Sequence, residues 1–476
     1  MNFVIRIWSY YYLNAPSVLV YMLQQVEYSP VKFADWVDTM PNLRHVRRRQ
    51  RLELTTRAQI MLAVAYAAWW LPVVLGLSLM WWGGGKAFVV PVLLVGPLVC
   101  IVSLFFVSLV LQHFIVNPAQ NREVVTASKK LAQDQITRIA ILGSYGKTTM
   151  KELLTTILSE GKVVKSTPGN KNVLVSHARW INKSLNGQEE VLIFEYGEAG
   201  PGDIARLAGF SRPNWAIVTG LAPAHLDDYG SLDAIARDFA DINNFVSLNK
   251  LYLNGESEEL RARLKSGNQY DKRGVNGWRA SDIKLTIAGT DFTLKKAGKT
   301  LHLHTGLLGT HQIGPLATAV DIAAELGLTN DQIIAGVAKT IPYEHRMQPY
   351  KLAGAQIIDD TYNGNIEGVR AGLNLLDALK TTGRKIYVTP GLVEQGALTE
   401  AVHNKLGQLI AKSQPDRVVL MQNSVTSFIQ AGLDEGGFAG ELLIEPVPLD
   451  FYNNLEHFIA TGDLVLMQND WPDSYQ

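Results

Sequence analysis

Two uncharged apolar runs constrain this chain more than any other feature. Gln59 to Trp82 reads QIMLAVAYAAWWLPVVLGLSLMWW, and Ala87 to Leu111 reads AFVVPVLLVGPLVCIVSLFFVSLVL. As a helix each run would extend roughly 36 Å, enough to cross a bilayer core of about 30 Å. Gly83, Gly84, Gly85 and Lys86 form a tight turn between them. The pair predicts a transmembrane helical hairpin at about 59–82 and 87–111. The alternative is two buried helices of a soluble core, which tandem runs of this length oppose. Pro72, Pro91 and Pro97 are tolerable in membrane helices. Trp81 and Trp82 suit an interfacial aromatic belt, Trp69 and Trp70 less well.

Orientation follows from the flanking charge. Arg44, Arg47, Arg48, Arg49, Arg51 and Arg57 precede the first run, and Arg122, Lys129 and Lys130 follow the second. The positive-inside rule places both flanks, and all that follows, in the cytoplasm. The expected location is the inner (cytoplasmic) membrane with the soluble part facing the cytoplasm. Next to a membrane span, the Arg44–Arg57 collar fits anionic lipid better than nucleic acid. Residues 3–23 are apolar and aromatic but carry Arg6, Asn14 and Pro16. They predict a helix in or near the interface, with a third span as the alternative. No small-residue cleavage site follows a short apolar core, so no removable signal peptide is expected.

The chain has 476 residues, room for about three domains. Lys plus Arg and Asp plus Glu number 44 each, so the net charge is zero. That excludes a basic chain that coats nucleic acid and an acidic disordered one. The single cysteine, Cys100, excludes an internal disulfide and a CxxC site.

Beyond residue 111 comes a polar stretch, then short Ile/Val-rich runs alternating with helical periodicity. This predicts α/β architecture with a mainly parallel sheet. Expected strands are Thr137–Leu142, Val191–Glu195, Trp215–Thr219 and Leu251–Asn254, with an antiparallel insert over 282–305. A second series begins near Ile341, with strands at Gln356–Asp359, Lys385–Thr389, Arg417–Met421, Leu442–Glu445 and Leu464–Met467. The expected division is 1–120 membrane module, 121–340 first α/β domain and 341–476 second α/β domain.

The run ITRIAILGSYGKTTMKELLTTIL places Gly143, Ser144, Tyr145, Gly146, Lys147, Thr148 and Thr149 between a strand and a helix. Glycines let backbone N–H groups face phosphate oxygens, and the helix N-terminus adds its dipole. Lys147 can neutralise β/γ phosphates and Thr148 can ligate Mg²⁺. The full Walker pattern is absent, because its first glycine would fall at Ile141.

GSYGKTT resembles the ATP loop of the Mur ligases, which build the peptidoglycan stem peptide. Further runs follow in that family's order. Thr167 to Asn172 (TPGNKN) resembles TxGNxN, and Glu195-Tyr196-Gly197 resembles E-x-G. Ala224-His225-Leu226-Asp227 with Gly230-Ser231 resembles AHL(E/D)xxGS, and Leu308 to Gln312 resembles LGxHN. Arg346 stands where the family has an arginine before its third domain. Asp359 to Asn365 (DDTYNGN) resembles DDxYNxN of the D-alanyl-D-alanine-adding MurF type. The similarity covers roughly residues 136–410.

The resemblance implies a P-loop-type central ATPase domain, a Rossmann-like closing domain, and ATP with Mg²⁺ as cofactors. It implies that ATP activates a carboxylate as an acyl phosphate, which an amine then displaces. Catalytic positions would be Lys147, His225 and Arg346. Nucleotide would meet Gly143, Ser144, Gly146, Lys147, Thr148, Thr149, Gln312, Arg346, Asp360 and Asn363. Metal would meet Thr148, Glu195 and His225, and substrate Asn170 and Asn172. Taken alone, Glu195 and His225 would read as loop residues and Asp360 as a turn former; their place in the ordered set changes that reading. Expected partners are a muropeptide acceptor and an amino acid or dipeptide donor. Alternatives are another amide polymer, such as poly-γ-glutamate, or a non-catalytic ATP-binding scaffold.

The sequence departs from the family at five places. Phe239 stands where a carbamylated lysine is usual. Gln312 and Pro315 replace an asparagine pair at the adenine, and Val173 follows Asn172 where a further asparagine is usual. Only about 25 residues separate the hairpin from the ATP-domain strand, leaving no room there for a UDP-binding domain. Gln468-Asn469 also stands in place of the usual Lys-Gly.

Overall fold

The computed structural model describes the chain except residues 1–8, 41, 47–50, 82–85, 134, 170, 224–225, 363, 394 and 470–476. It forms two compact units, Met1–Glu123 and Val124–Gln476.

The first unit is helical. α1 (Ala15–Gln25) and α2 (Pro30–Thr39) are short, whereas α3 (Thr56–Trp81) and α4 (Lys86–Leu111) have 26 residues each. A π-helical turn (Gln112–Val116) then leads into α5 (Asn117–Gln133), which runs past the unit boundary. Two helices among the described residues are long and apolar enough to cross a membrane. α1 begins after Asn14, with Pro16 in its first turn. Its 11 residues extend about 16 Å, half a bilayer core. The helix expected over 3–23 is therefore interrupted, and its residues 3–8 lie outside the described ones. Ser29 caps α2 by accepting from the Lys32 N–H, and Pro30 fits the first helical position.

Leu19, Phe33, Met61, Ala65, Cys100 and Leu104 form the core of this unit. Small Ala65 and Cys100 let α3 and α4 approach closely. Arg57 lies 4.2 Å from the Tyr28 ring centroid and donates to Gln112 Oε1 at 3.0 Å. Many large apolar side chains point outward: Trp81 is 88% exposed and Leu98 60%.

The second unit holds three sheets. Strands β1 (Thr137–Leu142), β2 (Val164–Ser166), β3 (Val191–Glu195), β4 (Trp215–Val218), β5 (Leu251–Asn254) and β6 (Asn268–Tyr270) form the first. All are parallel, in the order β2-β3-β1-β4-β5-β6. Successive residues of β1 serve opposite cores. Ile139 and Ile141 join one cluster, and Ala140 and Leu142 the other. Burial on both faces explains why such strands read as continuous apolar runs.

β7 (Gly274–Val275), β8 (Trp278–Thr286), β9 (Gly289–Lys296) and β10 (Lys299–Thr305) form an antiparallel sheet, starting earlier than the expected 282. It is tied to helix Ile313–Glu325 by fully buried Asp321. That carboxylate accepts from Tyr252 Oη (2.8 Å), Asn276 Nδ2 (2.9 Å), Trp278 Nε1 (3.0 Å) and Lys296 Nζ (2.7 Å).

β11 (Gln348–Leu352), β12 (Ala355–Asp360), β13 (Lys385–Thr389), β14 (Arg417–Met421), β15 (Glu441–Glu445) and β16 (Leu464–Gln468) form the third sheet. Its order is β11-β12-β16-β13-β14-β15, parallel apart from β11.

Candidate active site

β1 ends at Leu142, and the chain turns at once. Gly143 has φ 136°, and a Cβ there would come within 2.9 Å of the Gly220 carbonyl. Gly146 has φ 75° and precedes α6 (Lys147–Leu158). Both positions require glycine. The loop thus brings the free N–H groups of the α6 N-terminus to the C-terminal edge of the sheet, where open α/β sheets bind ligands. The Ser144 hydroxyl is buried there with no hydrogen-bond partner among the described residues.

The Lys147 ammonium donates to both carboxylate oxygens of Glu198, each at 2.9 Å, and to the Gly143 carbonyl. Thr148 Oγ1 donates to Glu195 Oε1 at 3.3 Å. Fully buried Lys151 lies 2.9 Å from Glu195 Oε2 and donates to the Gly169 carbonyl at 2.7 Å. The Glu195 N–H donates to Thr167 Oγ1 at 3.0 Å, and its carbonyl accepts from His177 Nε2 at 3.0 Å. Burial lowers the His177 pKa to about 4, so the ring is neutral. Glu195 is therefore held at side chain and backbone alike.

The third sheet contributes Arg346 and Asp360. Arg346 lies 4.4 Å from the Tyr362 ring centroid. Asp360 ends β12, and its carboxylate accepts from the Met347 N–H (3.1 Å) and Gln468 Nε2 (2.7 Å). Burial pushes its pKa up to about 7, against the pull of Gln468, the Met347 amide and Arg346. Gln468 also donates to the Gly368 carbonyl and accepts from Tyr387 Oη. Asn469 follows at φ 72°, the left-handed conformation for which asparagine is the usual substitute for glycine.

One cavity of about 1270 Å³ gathers Ser144, Gly146, Lys147, Thr148, Thr149, Asn172, Glu195, Gln312, Arg346 and Asp360. Gly143 stands behind it at the end of β1. Gln312 Nε2 donates to His311 Nε2 at 2.9 Å, and burial lowers the His311 pKa to about 4. Asn172 accepts the Gly197 N–H through its carbonyl. His225, Asn363 and Asn170 lie outside the described residues, as do Arg47, Arg48 and Arg49 of the basic collar.

Hard oxygen donors, the Thr148 hydroxyl and Glu195 carboxylate, sit together in a form that suits Mg²⁺. Among the described residues no group of three or more His, Cys, Asp or Glu side chains could hold a metal. Phe239 is buried in the core. Its neighbour Asp238 is engaged by Tyr229 Oη and the Gly202 N–H, both at 2.7 Å. Neither side chain supplies a free ligand.

Sequence reasoning missed Glu198, Lys151 and Gln468. Lys151 stands one helical turn after Lys147, and Glu198 follows the Glu195 strand end closely. Both spacings were readable. Gln468 ends a parallel strand, but its contact with Asp360 depends on strand order.

Residues 141–323 match the Mur ligase middle domain. The chain is 29% identical to the UDP-N-acetylmuramoyl-tripeptide--D-alanyl-D-alanine ligase of Escherichia coli K12, over 59% of its own length. It spans 63% of that relative. It is 27% identical to the Bacillus subtilis 168 enzyme of the same name, over 74% of this chain and 79% of the other. Its fold is similar to MurF from Acinetobacter baumannii (TM-score 0.64, 22% identity, 74% and 77% covered). A MurF ligase from Thermotoga maritima, solved in complex with ADP, gives 0.63 at 23% identity, covering 74% and 80%. The likeness is thus to the MurF type, with a mixed α/β fold and parallel sheets.

Proposed function

We propose that this chain is a Mur ligase, an ATP-dependent carboxylate–amine ligase of the MurF type. It joins D-alanyl-D-alanine, or a similar dipeptide, to a muropeptide cell-wall precursor. The observation that carries this reading is the shared cavity, in which the α6 N-terminus with Lys147, Thr148 and Glu195 meets Arg346 and Asp360.

A carboxylate is a poor electrophile with a poor leaving group. Taking the γ-phosphoryl group of ATP gives an acyl phosphate and ADP. The amine nitrogen then attacks the acyl carbon, and inorganic phosphate departs with the C–O bond electrons as the amide forms. The protein must hold three anions together, so cationic side chains and positioning supply most of the rate. Lys147 and the loop N–H groups bind the β/γ phosphates. Thr148, Glu195 and His225 would hold magnesium, which would supply positive charge against the phosphates. Arg346, Asp360 and Asn363 close on the nucleotide, Gln312 faces the base, and Asn170 and Asn172 place the acceptor.

α3 and α4 form the membrane hairpin, with the ligase on the cytoplasmic side of the inner membrane. Their length and outward apolar side chains support this part. The Arg44–Arg57 collar meets anionic lipid, and the membrane holds a lipid-linked acceptor where a UDP pocket would otherwise do so.

The test is phosphate release by detergent-solubilised protein, screened over soluble and lipid-linked acceptors with D-alanyl-D-alanine or glutamate. Release with a muropeptide and D-alanyl-D-alanine supports the reading, and Lys147→Ala should lower the rate by about a hundredfold or more. Release with glutamate alone favours a poly-γ-glutamate-type ligase. No release with any pair would leave an ATP-binding scaffold. Activity confined to soluble UDP-muropeptide would sink the lipid-linked acceptor.

A further inference from the structure

The Lys147–Glu198 pair has no place in the reaction just described. Glu198 is 4% exposed and presents both carboxylate oxygens to the Lys147 ammonium at 2.9 Å, while Gly143 accepts from the same ammonium. Two oxygens on one cation are what a pair of phosphate oxygens would offer. Lys147 side-chain exposure is low, so the pair is poorly screened by water. Glu195, which also faces the loop, is already held by Thr148 and Lys151 and does not compete for Lys147.

We propose that Glu198 is a built-in competitor of the nucleotide for Lys147, and so sets the affinity and charge selectivity of the site. This rests on the nucleotide-site reading above. Binding of a triphosphate moves Lys147 from a carboxylate to the phosphates. The exchange returns much less free energy than capture of an unpaired ammonium would. It also leaves a buried carboxylate facing an anionic ligand, a cost that grows with ligand charge. The penalty therefore falls most heavily on ATP and is absent for adenosine.

The experiment compares the full chain with Glu198→Gln, a near-isosteric change that removes the charge. Equilibrium dissociation constants are measured in detergent by titration calorimetry for a non-hydrolysable ATP analogue, ADP, AMP and adenosine, each in EDTA and in magnesium. The variant is expected to bind the ATP analogue at least about tenfold tighter in EDTA. The gain should fall through ADP and AMP and vanish for adenosine. Magnesium should narrow the gap, because a divalent cation offsets the carboxylate. Equal or weaker binding by the variant, or a gain that ignores ligand charge, overturns the proposal. If wild type and variant both fail to bind any adenine nucleotide, the nucleotide-site reading falls and this inference with it. Should Glu198→Gln not fold, Glu198→Asp holds Lys147 from one methylene further back and should shift the affinities the same way by less.

Discussion

The two units of this chain treat polar and apolar groups in opposite ways. In Val124–Gln476 buried charge is common and partnered: Asp321 receives four donors, and Glu195 lies against Lys151 and Thr148. Its sheets face cores of Ile, Val and Leu. In Met1–Glu123 the few described polar groups in the core are serines such as Ser108, which donates to the Tyr28 carbonyl. Many of its described large apolar side chains face outward along α3 and α4. An apolar exterior has no hydrophobic reason to exist in water, whereas in lipid it carries no penalty. Under the proposed membrane placement the same residue types are sorted by two different solvents, and the contrast can be tested from either side.

The largest effect is expected from Asp321→Ala. Four donors, buried Tyr252 and Trp278 among them, lose one buried acceptor, and unfolding of the second unit should become easier by about 3–5 kcal/mol. Urea denaturation followed by tryptophan fluorescence checks this. A loss under 1 kcal/mol would mean that the buried network is replaceable.

Leu98→Arg probes the other unit. Leu98 is outward-facing, so in water this change would be neutral. In a bilayer an arginine near mid-helix costs about 2.5–3.5 kcal/mol of insertion free energy. Carbonate extraction of membranes should therefore release more of the variant than of wild type. Equal retention would break the comparison.

A smaller effect concerns Asp360. Its folded pKa lies above that of an unfolded aspartate, near 3.8, and reaches about 7. The folded state therefore binds this proton more tightly, and stability from this group is complete below the unfolded pKa and declines as pH rises towards 7. Asp360→Asn should flatten the pH dependence of the urea midpoint between pH 4 and 7. An unchanged slope would show that the carboxyl is ionised throughout.

The two long apolar helices and the central strands of the first parallel sheet were legible because each residue there has one dominant requirement. β1, β3 and β5 lie where the apolar runs put them. β2, only three half-buried residues, and the two-residue β7 carry too little pattern to be read. β11 is an edge strand containing Pro349, a residue that disfavours a strand reading. At the site, the loop glycines, Lys147 and Thr148 announce themselves by spacing. Glu198 does not, because its partner is set by how the chain turns after β3. Gln468 was hidden for another reason: β16 lies between β12 and β13, and strand order is a property of the fold rather than of any local segment.

That position of β16 also orders events at the ribosome. Translation proceeds from the N-terminus, so α3 and α4 emerge long before Leu464 is made, and under the proposed membrane placement they meet the bilayer first. Until then the third sheet has a gap between β12 and β13, and Asp360 has no Gln468 to hold it. On that reading the nascent chain is anchored first and completed last. An incomplete chain lacks the strand whose Gln468 holds the Asp360 carboxylate.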